Sequence, residues 1–445
     1  MGIKVIESSA PLADPTVAAV RNVLRQGGLT AAGEGESLDV EGIVRGIIAD
    51  VEGRGDAALV ALERRLDKAE LTPDALRVPP DRIAAAHGDA EPAFLDLIRR
   101  AAANIRTYQE GILHRDPPPL QRGGRTLGVR YTPVDRVGVY VPGGRAVYPS
   151  TVLMTVVPAQ VAGVREVVMA SPPTTDGDVN PMILALAGEL GVAEVYRLGG
   201  APAIAALAVG TEGVKPVDKI VGPGNAFVAA AKRQLFGRVG IDSIAGPSEV
   251  LIVADDSAHP DWIAADLLSQ AEHDPGAALL VTPSRALADS VVAAIERQLP
   301  ALSRAEALRK SLEDYSAVIV VPDMDAACDV ANAFACEHLQ IVTGDDAGAL
   351  SRIRHAGAVF LGPHTPVPVG DYYAGPSHVL PTGCTARFFG PLSCNDFLKA
   401  SSIVCYDAAA LAEDAPDIAD FASREGLTGH ARAVRLRTET DKSEG

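Results

Sequence analysis

A chain of 445 residues of which 47% are hydrophobic has apolar material for two or three cores of ordinary domain size, which excludes a small scaffold stapled by disulfides. Against 40 Lys and Arg stand 57 Asp and Glu, a net charge of −17; this excludes a broad electrostatic footprint for nucleic acid or an anionic membrane, so any anionic ligand must be held locally. The five cysteines, Cys328, Cys336, Cys384, Cys394 and Cys405, are odd in number and contain no Cys-x-x-Cys pair, which predicts free thiols in a reducing compartment rather than a disulfide framework.

The opening MGIKVIESSAPLADP lacks the basic start and apolar run of a secretory signal, so a cytoplasmic location is expected. Over residues 38–66 and 90–113 apolar residues recur at mixed three and four spacing with charges on the other face, predicting amphipathic helices. Pro117, Pro118 and Pro119 then stop any helix. From Arg136 short β-branched runs alternate with helical stretches, the pattern of parallel βαβ units. The first series has strands at Arg136–Val141, Glu166–Ala170, Glu194–Leu198 and Asp218–Val221. After them come Gly143-Gly144, a helix capped by Asn180 with Pro181 in its first turn, Gly199-Gly200, and Gly222-Pro-Gly-Asn225 before a helix to Phe236. The uncharged stretch Ala146–Val164 is broken by Pro149, Ser150, Thr151, Pro158 and Gln160; a spanning helix needs about 20 predominantly apolar residues, so this reads as a buried turn and helix. A second series follows at Val250–Ala254, Ala278–Val281, Ala317–Val321, Gln340–Thr343 and Ala358–Leu361. The fold class is therefore α/β, with two stacked units joined near residues 238–248. Beyond Gly390 stand a further helical segment, one short apolar run at Ser402–Tyr406, and the polar tail Thr438–Gly445.

In doubly wound sheets ligands sit beyond the carboxyl ends of strands, where glycine turns let backbone N–H groups face a phosphate. Gly143-Gly144, Gly199-Gly200 and Gly222-Pro-Gly224-Asn225 lie at such ends, though none completes Gly-x-Gly-x-x-Gly. They read either as simple reversals or as a nucleotide site. Gln270 and His273 fall near the end of an amphipathic helix, Asp261–Glu272. Their spacing of three lets both project from one face, as half of a metal site or as a solvated helix end. Glu337-His338 follows the helix Asp323–Phe334 directly before a strand; a carboxylate and an imidazole there can divide base work, or form an exposed charged turn. Cys336 beside them reads as a small buried hydrophobe more readily than as a nucleophile. Gly370-Asp371 through Gly375-Pro-Ser-His378 and Glu425-Gly-Leu-Thr-Gly-His430 each carry one acid and one histidine, as site loops or as turns and caps.

Taken together these segments resemble the histidinol dehydrogenase family. The resemblance covers nearly the whole chain and rests on ordered matches: Val137-Gly-Val-Tyr140-Val-Pro-Gly-Gly144, Val217-Asp-Lys-Ile-Val-Gly-Pro-Gly-Asn225, Ala245-Gly-Pro-Ser248-Glu249 and Ser269-Gln-Ala-Glu-His273. Further along come Glu337-His338-Leu339, Gly370-Asp371 through Pro381, and Glu425 through His430. The resemblance implies oxidation of L-histidinol to L-histidine in two NAD-dependent steps by way of L-histidinaldehyde, with one zinc ion per site. It implies Gln270, His273, Asp371 and His430 as zinc ligands, two imidazoles, a carboxylate and an amide oxygen, which form a chemically sensible N/O set. It further implies Glu337 and His338 as the catalytic pair, with Ser248, Gln270, His273, His338, Asp371, Glu425 and His430 around the substrate. Tyr140 and Asn225 match positions that contact NAD. A third such position is glutamine in the family pattern and Pro202 here; proline offers neither a side-chain amide nor an N–H, so a hydrogen bond from that position is lost.

The implied architecture is two incomplete Rossmann-like α/β domains with a helical N-terminal segment and a small C-terminal one. The limits expected are residues 1–36 for the N-terminal segment, 37–139 plus 249–390 for the first domain, and 140–248 for the second, on the NAD side. Residues 391–445 form a segment exchanged in a homodimer, so that Glu425 and His430 complete the partner's site. Other readings are a paralogous dehydrogenase of the same fold acting on another small polar diol, a zinc hydrolase using Glu337 on water, and a metal-binding scaffold without catalysis.

Overall fold

The computed structural model describes residues 2–25, 39–143, 148–244, 246–273 and 276–438. Gly144, Ala245 and the tail beyond Thr438 lie outside them, as does the whole stretch between Arg25 and Asp39. The chain forms two compact units, Met1–Ile112 with Asp135–Asp396, and Leu113–Val134 with Phe397–Gly445.

The first unit contains two parallel sheets. The six-stranded sheet runs Lys4–Glu7, Ala317–Val320, Gly276–Thr282, Ser248–Ala254, His338–Val342, Ala358–Leu361 across its width. Its inner strands are largely apolar and buried because both faces are covered, and the period of two divides them cleanly. Val250, Ile252, Ala254, Ala278, Leu280 and Val318 share one cluster with Ile263, Leu267, Val291 and Leu308. Leu251, Val253, Leu279, Val281 and Ile319 share another with Val17, Leu24, Val330 and Phe334. Burying each such side chain contributes about 1.5–3 kcal/mol, so a one-residue slip of any central strand would exchange two complete packing sets.

The five-stranded sheet runs Val195–Arg197, Glu166–Ser171, Arg136–Tyr140, Lys219–Val221, Gly240–Ile241. The helix Pro149–Ala162, within the long uncharged stretch, is buried along almost its whole length, and among the described residues no helix is long and apolar enough to cross a membrane. The helices Val40–Arg54 and Asp56–Leu66, grouped by sequence with residues 249–390, pack against the helices Gly200–Val209 and Ala226–Leu235 that flank this second sheet: Val44, Ile47, Val51, Leu59 and Leu62 share a cluster with Ala203, Ile204, Leu207 and Val228. An amphipathic stripe demands a partner without naming it.

Four strands were not expected, among them the short edge Gly240–Ile241 of the five-stranded sheet. Lys4–Glu7 adds a parallel edge beside Ala317–Val320, and Leu120–Arg122 with Arg125–Pro133 forms a hairpin in the second unit. The short run expected at Ser402–Tyr406 is a nine-residue strand, Leu398–Tyr406, paired antiparallel along its full length with Arg125–Pro133. The helices Ala408–Arg424 and Thr428–Thr438 follow, packed through Ala419, Ala422 and Ala431.

Candidate functional site

The polar constellation forms at the amino edge of the six-stranded sheet. His338 opens its strand and stands opposite Val250 in the parallel register, which sets Glu337 beside Glu249. The helix Met324–Phe334 ends with Ala335 in the left-handed region at φ 48°, which turns the chain sharply into Cys336-Glu337-His338. Glu337 Oε2 accepts from the Ser248 hydroxyl at 2.6 Å and from the Glu249 N–H at 2.9 Å. Ser248 Oγ accepts in turn from Gln270 Nε2 at 2.9 Å. A relay of three side chains therefore ties the end of the Pro260–Ala271 helix to the carboxylate, and with its N–H donating to Ser248, Gln270 keeps its amide oxygen for another partner.

His338 is buried. Its Nδ1 lies 3.2 Å from the Glu249 carbonyl oxygen and 3.5 Å from Glu337 Oε2. Both neighbours accept, which assigns the proton of a neutral ring to Nδ1 and leaves the lone pair on Nε2. That nitrogen faces Asp371 Oδ1 at 3.4 Å and has no hydrogen bond among the described residues. Asp371 sits on a wide helical turn, Gly370–Ala374. Its backbone carbonyl accepts from His378 Nδ1 at 3.0 Å, while His378 Nε2 approaches Thr151 Oγ1 at 3.4 Å.

The charges are set by burial and by each other. Burial opposes the His338 cation, but Glu337 and Asp371 outweigh it and raise the imidazole to about 9. Burial raises Glu337, with His338 opposing. Asp371, despite burial, is held below the usual carboxylate range by His338 and the other imidazoles. Burial lowers His273 and His378 toward their neutral forms. A cationic group entering here would meet two carboxylates, and its charge would disfavour the imidazolium that those carboxylates now favour.

Among the described residues no group of three or more His, Cys, Asp or Glu is arranged to hold a metal. The donor set is nonetheless of the kind zinc takes: Gln270 with its oxygen free, His273 favoured neutral, and Asp371 favoured ionised. Glu425 and His430 lie in the second unit, one after the Ala408–Arg424 helix and the other in the first turn of Thr428–Thr438. Both are exposed there.

The glycine turns cluster at the opposite kind of edge, the carboxyl ends of the five-stranded sheet. Tyr140 ends its strand, and its hydroxyl oxygen accepts from the Gly200 N–H at 3.0 Å. Pro202 is the third residue of the helix Gly200–Val209, where a missing N–H costs the helix nothing. Asn225 caps the helix Ala226–Leu235, its Oδ1 accepting from Phe227 and Val228 N–H at 3.0 and 3.2 Å. Gly222 has φ 113°, and a Cβ there would lie 2.1 Å from the Tyr140 carbonyl oxygen. Two residues absent from the sequence reading hold this turn: buried Lys232 donates to the Gly222 carbonyl and to Asp242, both at 2.6 Å, while Asp242 Oδ2 accepts from the Gly222 N–H at 2.8 Å. The Ser248–Glu337 bond was equally invisible, because it depends on which strands are neighbours.

The family model described as histidinol dehydrogenase matches residues 31–438. The histidinol dehydrogenase of Rhodopirellula baltica is 48% identical over 442 residues, covering 97% of this chain and 96% of that one. That of Geobacillus kaustophilus is 51% identical over 394 residues, covering 88% and 92%. The crystal structure of histidinol dehydrogenase from Elizabethkingia anophelis superposes with a TM-score of 0.89 at 32% identity, covering 98% of each chain.

Proposed function

The chain belongs to the histidinol dehydrogenase family, and from that premise we propose that this oxidoreductase converts L-histidinol to L-histidine, by way of L-histidinaldehyde, with reduction of two NAD. The observation that carries the reading is the buried Glu337–His338 pair, its carboxylate tied through Ser248 to Gln270 and its imidazole facing Asp371. NAD+, when bound, supplies the acceptor for the hydride lost in each oxidation.

His338 takes the hydroxyl proton of the alcohol on Nε2, the nitrogen left without a hydrogen bond. The substrate's positive charge would offset the carboxylates that now favour the imidazolium, and burial then returns the ring to the neutral base. The second oxidation begins from an aldehyde, which has no hydroxyl until water adds; Glu337 removes a proton from that water. Ser248 and Glu249 N–H hold one carboxylate oxygen, so the other is the one available to the water. No thiol enters the scheme: Cys336 is buried, with its thiol pushed well above its ordinary value by that burial.

Gln270, His273 and Asp371 would hold zinc together with His430, and the metal would fix the imidazole and amine of the substrate so that its carbinol carbon is oriented. Ser248 and Glu425 would contact the same substrate. Tyr140 and Asn225 would contact NAD, with Pro202 contributing no hydrogen bond. We place Glu425 and His430 in the site of a partner subunit, which makes the working form a homodimer, and we assign the enzyme to the cytoplasm. The test is stoichiometry: two NADH per histidinol consumed support the reading, and a sustained ratio of one overturns it.

A further inference from the structure

One buried residue touches both members of the acid–base pair without being either. Glu249 is 1% exposed. Its N–H donates to Glu337 Oε2 at 2.9 Å, its side-chain Oε1 accepts from the Glu337 N–H at 3.2 Å, and its carbonyl oxygen lies 3.2 Å from His338 Nδ1. Three separate polar groups of one residue thus engage the backbone and carboxylate of Glu337 and the ring of His338. The parallel pairing of Ser248–Ala254 with His338–Val342 makes this reciprocity possible.

A carboxyl is an expensive occupant for such a place. Among the described residues its second oxygen, Oε2, finds no hydrogen bond, and the residues that follow it, Val250 and Leu251, are fully buried aliphatics. An apolar side chain would fill the space without that cost, so packing alone does not account for the carboxyl. What the carboxyl adds is an acceptor for the Glu337 N–H, with the Gly383 and Cys384 N–H groups also acting on it. Burial, and then the charge of Glu337, push Glu249 up to about 8, so at neutral pH it serves as an uncharged acceptor beside a carboxylate.

We propose that Glu249 is a positioning residue for this reaction: its side chain fixes the backbone at Glu337, and so aims that carboxylate at the attacking water. This rests on the reading of Glu337 as the base of the second oxidation. Substitution leaves the N–H and carbonyl of residue 249 in place, so the support of His338 persists, while the side chain's bond to the Glu337 N–H and its interaction with the Gly383 and Cys384 N–H groups are lost. The two oxidations should therefore respond differently.

The test uses the full-length enzyme with NAD and zinc, offered histidinol or histidinaldehyde as separate substrates. Glu249→Leu is expected to slow aldehyde oxidation about 100-fold, the scale of a misplaced catalytic group, and alcohol oxidation far less, with aldehyde accumulating. Glu249→Gln keeps an acceptor oxygen without a charge and is expected to restore most of the aldehyde rate. Should Glu249→Leu not fold, Glu249→Asp, whose shorter side chain falls back from the Glu337 N–H, carries the same expectation. Equal losses in both oxidations, or Glu249→Gln as impaired as Glu249→Leu, overturn the positioning role. Glu337→Gln run in parallel separates the layers: selective there but not at Glu249 removes this proposal alone, and unselective at Glu337 removes the water-activation reading together with it.

Discussion

Glu63 allows a stability measurement whose sign follows from the structure. Its side chain is fully buried; Oε1 accepts from the Gly199 N–H at 3.0 Å and Oε2 has no hydrogen bond among the described residues. Burial pushes it from an ordinary 4.5 up to about 9, with the Gly199 N–H pulling down and Asp67 adding to the rise. The folded chain therefore keeps a proton that the unfolded chain releases. With the folded value raised, the stability contribution is intact below about 4.5 and is lost as pH climbs toward about 9. One unit corresponds to about 1.4 kcal/mol, so between pH 6 and 8 this group removes on the order of 2–3 kcal/mol from the wild type. Glu63→Gln keeps an acceptor for Gly199 and titrates nowhere in that range. Urea unfolding at pH 6, 7 and 8 should show the variant gaining on the wild type by about 1.4 kcal/mol per unit. A stability difference that stays constant with pH refutes the buried-acid argument.

Glu337→Gln should slow oxidation of the aldehyde by roughly 10²–10⁴-fold and of the alcohol much less, whereas His338→Asn should impair both; equal aldehyde rates for wild type and Glu337→Gln in stopped-flow assays would remove Glu337 from water activation. Chelation followed by dialysis should abolish NADH formation and zinc should restore it, measured alongside metal content; turnover that persists in metal-free protein contradicts the ligand assignment. Pro202→Gln should lower the KM for NAD by about 2–10-fold, the worth of one hydrogen bond, with kcat unchanged. An unchanged KM would place residue 202 away from the cofactor.

The central strands were legible because most carry a β-branched or aliphatic run followed by a turn and a helix, and burial on both faces is what writes such a run. The turns at Gly199-Gly200 and Gly222–Asn225 were legible for a related reason: at Gly222 the backbone conformation and the closeness of the Tyr140 carbonyl leave no room for a side chain. Arg125–Pro133 and Leu398–Tyr406 were not, since the second strand is exposed along nearly its whole length and so lacks the alternation that marks a half-buried strand. Glu337-His338 stood out as an adjacent acid and imidazole, but Glu249 and Ser248 acquire their bonds to Glu337 only through strand order. Lys232 reads as an ordinary helix cation until the fold brings Asp242 to it.

The pairing that joins Ser248 to Glu337 spans 89 residues of chain. Helices on either side can form from local sequence, yet the Glu337 carboxylate has no anchor until these two strands meet, and such long-range contacts are the slow ones in folding. During renaturation the far-UV helical signal should therefore recover ahead of turnover, and the delay between them would time the moment at which the central sheet closes.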